Sequence, residues 1–246
     1  MCHQEDSRPP APPRVGGVGK SGDLVLTSAD STRFRAYAAR PAESSRASVV
    51  VLPDVRGLHP YYRDLAVRFA EAGLEAVAID YFGRTAGIGE RGEDFAWQQH
   101  REQTTPEGIA ADTAAAVDHL RAPSRPAAGA VFTVGFCFGG SHSWRLAASD
   151  LPLAGTIGFY GKPALVEDVL DRIHRPLLML VAGADATPQA DFEQMDRRLT
   201  AAGREHEMYV YPGAPHSFFD RAFDQWQDAC ADAWRRILNF IDRHST

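Results

Sequence analysis

Three side chains of this 246-residue chain have the types and the order that acyl-transfer chemistry needs. Cys137 ends an apolar run and sits in Gly135-Phe136-Cys137-Phe138-Gly139. That string has the G-x-nucleophile-x-G form of a turn that holds a nucleophile between a strand and a helix. The two glycines have a steric reason, because strand and helix pass so closely there that a side chain at either place would clash. The free N–H groups of the helix start would lower the thiol pKa and favour the thiolate. Taken alone, the string is more simply read as a small buried hydrophobe in a tight turn, since cysteine is among the most buried residue types. Two residues downstream change that balance. Asp185 follows the apolar run LLMLVAGAD, and His216 follows YVYPGAPH. A histidine can take the thiol proton, and a carboxylate can hold the histidine tautomer and stabilise the imidazolium. A strand-end aspartate is otherwise a turn former and a loop histidine a surface polar group. All three residues would have to be incidental, in this order, for the simpler readings to hold.

The elements around them are legible from periodicity. DLVLTS and RFRAYAARP alternate apolar and polar residues, which predicts a strand hairpin. ASVVVLPD, LEAVAIDYFG, GAVFTVGF, LAGTIGFYG, PLLMLVAGAD and HEMYVYPGA read as further strands, several apolar throughout as in a sheet covered on both faces. Helices are predicted over YYRDLAVRFAEAG, PEGIAADTAAAVDHLRA, GGSHSWRLAASD, DFEQMDRRLTAAG and QDACADAWRRILNFIDRH. Strands alternating with helices predict an α/β fold, a mostly parallel sheet with helices on both faces. In such sheets the chemistry lies beyond the carboxyl ends of the strands, where Cys137, Asp185 and His216 fall. The order nucleophile, acid, histidine is that of the α/β-hydrolase fold. Asp80 to Pro106 is a long polar excursion expected to hold a short helix around EDFAWQQHREQ, with Phe95 and Trp97 forming a local core.

Composition narrows the function classes. The net charge is −6 and the only lysines are Lys20 and Lys162, so no basic stripe for nucleic acid is expected. No apolar run is long enough to span a membrane as a helix. The cysteines, Cys2, Cys137 and Cys230, are too few and too scattered for a disulfide framework, and cytoplasmic conditions are the expectation. Cys2 and Cys230 read as incidental or core. His59 and His142 have no partners at metal-ligand spacing, so neither metal nor cofactor is expected. Residues 1–22, rich in Pro, Gly and charge, read as a disordered tail, and residues 23–246 as a single domain.

On the strings LPDVRGL, DYFGR, GFCFGG, AGAD and GAPHSFF, the chain from about Leu24 to Ile241 resembles the dienelactone hydrolase (carboxymethylenebutenolidase-like) family of α/β-hydrolases. Cysteine in place of serine at the elbow is distinctive of that family. The resemblance implies a Cys137–His216–Asp185 triad and hydrolysis of an ester or lactone. It implies an oxyanion hole from the backbone N–H groups of Val55 and Phe138. It also implies a carboxylate that meets the resting thiol. Asp54 stands where the family usually has Glu, and Arg56 is the alternative partner for it. Arg84 matches one of two arginines that bind a substrate carboxylate. The place of the second reads Phe219-Asp220, with Arg221 next, and an aspartate there bears against dienelactone itself. Tyr160 matches a pocket-lining position and reads equally as a packing aromatic. The implied partner is a small-molecule ester or lactone, with no nucleic acid or membrane, and the chain as monomer or homodimer. Two other readings stay open: a neutral ester, thioester or biosynthetic intermediate as substrate, and a redox-sensing protein without turnover.

Overall fold

The computed structural model describes residues 7–92, 94–122, 129–220 and 224–245. Strands β1 (Val18–Thr27) and β2 (Arg33–Pro41) form the expected antiparallel hairpin. They continue into β3 (Ala47–Leu52), β4 (Glu75–Ile79), β5 (Ala130–Phe136), β6 (Gly155–Phe159), β7 (Leu177–Ala182) and β8 (His206–Tyr211). The eight strands make one sheet in the order β1-β2-β4-β3-β5-β6-β7-β8. β2 meets β4 antiparallel, and every pairing from β4 to β8 is parallel. The apolar runs β3, β4, β6 and β7 are buried at every residue, as strands covered on both faces must be.

The covering is done by amphipathic helices. α1 (Pro60–Glu71) and α7 (Gln227–His244) pack Tyr61, Leu65, Phe69, Trp234, Ile237 and Ile241 onto one face of the sheet. On the other face lie α4 (Pro106–Leu120), α5 (Phe138–Leu146) and α6 (Gln189–Ala201). α1 and α4 each begin on a proline whose missing N–H costs nothing there. Thr105 caps α4 by accepting from the Gly108 N–H at 3.1 Å. The excursion after β4 holds α2 (Gly83–Ala86) and α3 (Trp97–Gln103). Phe95 and Trp97 pack there with Tyr81, Phe82 and Ile109, as a local core.

The N-terminal segment differs from the expected tail. Residues 1–6 lie outside the described residues, but from Ser7 the chain is packed onto the domain. Ser7 is 1% exposed. The Arg8 N–H donates to Asp220 Oδ1 at 3.2 Å, and Trp234 Nε1 donates to the Pro10 carbonyl at 3.1 Å. The Gly16 N–H reaches the Glu71 carbonyl at 2.7 Å, and β1 begins at Val18, ahead of the expected boundary. Proline favours extended backbone and has no N–H to satisfy, so a proline-rich strip can lie flat on a core without joining the sheet. Composition alone reads such a strip as disorder.

Candidate active site

The nucleophile turn is built by close approach. Cys137 caps α5 with φ 56 and ψ −114, a conformation costly for a residue with a side chain. A Cβ on Gly135 would lie 2.0 Å from the Gly139 carbonyl oxygen. One on Gly139 would lie 2.2 Å from the carbonyl oxygens of Leu52 and Pro53. The glycines therefore let β5 and α5 cross, and press α5 against the loop after β3. That loop carries Val55, which lines the same ≈ 380 Å³ cavity as Cys137, Phe138 and Tyr160. Tyr81 braces it by donating to the Pro53 carbonyl at 2.9 Å, and it also bonds the Asp54 carbonyl.

Asp185 and His216 are brought together by two loops zipped to each other. The Gly183 N–H donates to the Tyr211 carbonyl and the Ala184 N–H to the Ala214 carbonyl, both at 2.9 Å. A Cβ on Gly183 would stand 2.6 Å from the Tyr211 oxygen. His216 Nδ1 lies 2.6 Å from Asp185 Oδ2, so the Nδ1–H donates to the carboxylate. Burial opposes ionisation of Asp185. The His216 hydrogen bond and charge, with the Ala186 and Thr187 N–H groups, outweigh it and hold the carboxyl below its usual range. The His216 ring lies 4.8 Å from that of Tyr160, which lines the cavity. Tyr160 and Ser217 share left-handed backbone with Cys137, with φ values of 35 and 66. Strain of this kind gathers where a framework holds side chains against their preference.

The charged residues singled out by the resemblance each have partners within the fold. Asp54 is buried and held by Arg56, whose backbone N–H meets Oδ1 at 2.9 Å and whose Nε meets both oxygens at 3.3 Å. Arg84 is not in the cavity wall. Its Nε donates to Asp112 Oδ2 at 3.0 Å and to the Gly108 carbonyl at 3.1 Å. Its Nη2 reaches Asp112 Oδ1 at 2.8 Å, and its Nη1 reaches Asp30 at 2.5 Å. Asp112 has no exposed side-chain surface and also accepts from Ser28 Oγ. Arg84 is thus the central cation of a structural ion network, and this corrects its expected place as a substrate clamp. Asp220 is buried and caps the N-terminal segment, and Arg221 lies outside the described residues. Cys230 is core, as expected, and burial pushes its thiol up to about 12.

Sequence reasoning missed part of the cavity wall: Arg101, Glu102, Ser141, His142, Lys162 and Leu165. The signal for Lys162 was present, as one of two lysines in the chain and directly after the strand end GFYG. Arg101 had none beyond its place in the long excursion.

Residues 34–245 match the profile of the dienelactone hydrolase family. A protein of Escherichia coli (strain K12), provisionally named a carboxymethylenebutenolidase, is 30% identical over 230 residues, covering 85% of this chain and 82% of its own. The carboxymethylenebutenolidase of Rhodococcus opacus is 26% identical over 265 residues, covering 100% of this chain and 98% of its own. Among solved structures, a Klebsiella pneumoniae protein provisionally named a dienelactone hydrolase superposes with a TM-score of 0.68 at 26% identity. It covers 91% of this chain and 99% of that one. The eight-stranded, mostly parallel sheet with helices on both faces is the α/β-hydrolase fold, and the chain belongs to the dienelactone hydrolase family, a family of hydrolases.

Proposed function

We propose that the chain hydrolyses a carboxylic ester or lactone through a covalent acyl-enzyme on Cys137. The observation that carries this reading is the 2.6 Å His216–Asp185 pair beside a cavity lined by a strained, glycine-fenced cysteine. The thiol proton passes to His216 Nε2, with Asp185 stabilising the imidazolium. The thiolate sulfur bonds to the carbonyl carbon. The backbone N–H groups of Val55 and Phe138, both in the cavity wall, receive the developing oxyanion. The C–O bond to the leaving oxygen breaks, and the proton held by His216 goes to that oxygen. Water, deprotonated by the same nitrogen, then adds to the thioester carbonyl and the sulfur leaves.

Asp54 takes a supporting part in this account. With its carboxylate on Arg56, it holds the loop that presents the Val55 N–H, and His216 with the α5 N-terminus activates the thiol. Among the described residues no helix is long and apolar enough to cross a membrane. A small-molecule ester or lactone is the partner this account names, in keeping with the family match.

The test is Cys137→Ala, assayed on small aryl esters and enol-lactones. Hydrolysis should fall by roughly 10⁴-fold or more, the scale on which removed nucleophiles act, with the fold unchanged by circular dichroism. Turnover at the wild-type rate in that variant rules the mechanism out. A thiol that oxidises readily in a protein that cleaves neither ester class would favour the redox-sensing reading instead.

A further inference from the structure

His142 stands on α5 one turn beyond Phe138, in the wall of the catalytic cavity, and the triad makes no use of it. Its ring meets the Phe138 ring edge-on with 4.4 Å between centroids, as side chains four apart on a helix can. The residue is 7% exposed, and two cavities share it. One is the catalytic cavity. The other, of ≈ 300 Å³, lies between α4 and α5 and has His142 and Pro106 in common with the first. His142 is therefore part of the partition between them, buried by the fold yet bordering open space.

Among the described residues neither ring nitrogen of His142 has a hydrogen-bond partner. A polar side chain this deeply buried is ordinarily paired, because leaving it unpaired is destabilising. Its polar neighbours are committed elsewhere. Ser141 Oγ accepts from the Lys162 N–H at 2.8 Å and donates to the Cys137 carbonyl at 3.3 Å. Thr104 Oγ1 donates to the Arg101 carbonyl at 2.7 Å. Arg145 donates to the Leu165 carbonyl at 2.9 Å and to Asp168 Oδ2 at 2.6 Å. Arg101, Glu102 and Lys162 are exposed at the cavity rim, where water serves them. Burial, and to a lesser degree the Arg145 charge, push the His142 pKa down to about 4. At neutral pH its imidazole is uncharged, with one N–H to donate and one bare nitrogen to accept.

Resting on the acyl-enzyme reading above, we propose that His142 is a specificity-determining residue that hydrogen-bonds an uncharged hydroxyl of the substrate, on the acyl or the alcohol side of the scissile bond. Esters of hydroxy acids and partial esters of polyols are the classes that carry such a group. A hydroxyl answers either ring nitrogen, since it both donates and accepts. A carbonyl or ether oxygen answers only the N–H. A carboxylate or an ammonium would put a full charge where burial already denies one to the imidazole. The rest of the wall near the ring is apolar, with Val55, Pro106, Phe138 and Leu165, so a hydroxyl entering the cavity there gains most by meeting His142.

The experiment uses two ester pairs in which a methyl replaces the hydroxyl. On the acyl side, 4-nitrophenyl 3-hydroxybutyrate is compared with 4-nitrophenyl 3-methylbutyrate. On the alcohol side, 2-hydroxyethyl butyrate is compared with propyl butyrate. In at least one pair the wild type should favour the hydroxy ester in kcat/KM beyond the ratio of the two spontaneous hydrolysis rates. His142→Met keeps bulk but loses the donor and the strong acceptor. It should lower that preference about three- to ten-fold, the scale of one neutral hydrogen bond. His142→Gln, whose amide again donates and accepts, should restore most of it. The pair that responds tells which side of the scissile bond carries the hydroxyl. No preference in either pair overturns the proposal. So do equal losses on both members of a pair, because a packing role beside Phe138 would slow both alike. A binding measurement in Cys137→Ala separates this failure from failure of the acyl-enzyme reading. The nitrogen-15 resonances of the His142 imidazole, identified by their loss in His142→Gln, should shift with a hydroxy ester and not with its methyl counterpart. That result is expected whether or not the nucleophile is correctly assigned, and shifts that fail to distinguish the two esters overturn the proposal.

Discussion

The elbow and Arg84 were each picked out by a short string, GFCFGG and DYFGR, and the fold uses the two differently. At the elbow the sequence pattern reports a steric fact. Gly135 and Gly139 are glycines because a Cβ would fall within 2.0 to 2.2 Å of backbone oxygens, in α5 for the first and in the loop after β3 for the second. In the network the residue type reports only a charge. What that charge meets is decided by Asp30 in the β1–β2 turn and Asp112 on α4, segments distant in sequence. Asp54 and Arg56 likewise form a buried ion pair whose charges are set by each other. A backbone crossing carries its function with it, whereas a charged side chain has a function only once its partners are known.

That contrast can be broken at three strengths. The largest effect is expected from Gly135→Ala. With backbone as the obstacle, neither partner can yield cheaply, so the variant should lose more than about 4 kcal/mol and fail to accumulate as folded protein. A folded, active Gly135→Ala would show that the glycine is not there for the crossing. Arg84→Gln comes next. It strands a buried Asp112 carboxylate, and breaking such a pair costs roughly 3 kcal/mol. The melting temperature should fall by about 6–12 °C for a domain of this size. The ratio of turnover of 4-nitrophenyl hemisuccinate, which carries a carboxylate, to that of 4-nitrophenyl butyrate, which does not, should stay the same. Loss of that ratio with an unchanged melting temperature would return Arg84 to the substrate and erase the contrast. The smallest effect is the one stated for His142→Met, a change in selectivity.

Much of the fold was legible in the sequence, because its central strands are largely apolar runs, and α1 and α4 open on a proline behind a capping side chain. β3 and β7 could hardly be other than strands covered on both faces. The acid and the histidine could be picked out because each follows such a run, and the structure brings those two together. The strip from Ser7 to Pro12 was misread, since proline and charge are shared by disordered tails and by extended segments that lie on a core. Lys162 and Arg101 went unread for a different reason. Their place in one cavity depends on how the segment after β6 and the excursion after β4 fold over α5, and no local pattern encodes that meeting.

The central claim, that Cys137 carries the acyl group, is tested most directly by intercepting it. Deacylation needs His216 to activate water, so His216→Asn mixed with 4-nitrophenyl butyrate at about pH 9, where a cysteine thiol ionises without the histidine, and quenched in acid should retain a thioester. Mass spectrometry of the intact chain is predicted to show the gain of one butyryl group. Digestion is predicted to place it on the peptide holding Cys137, and hydroxylamine should remove it. A butyryl group on another residue, or release of nitrophenol with no adduct at any quench time, would contradict the account.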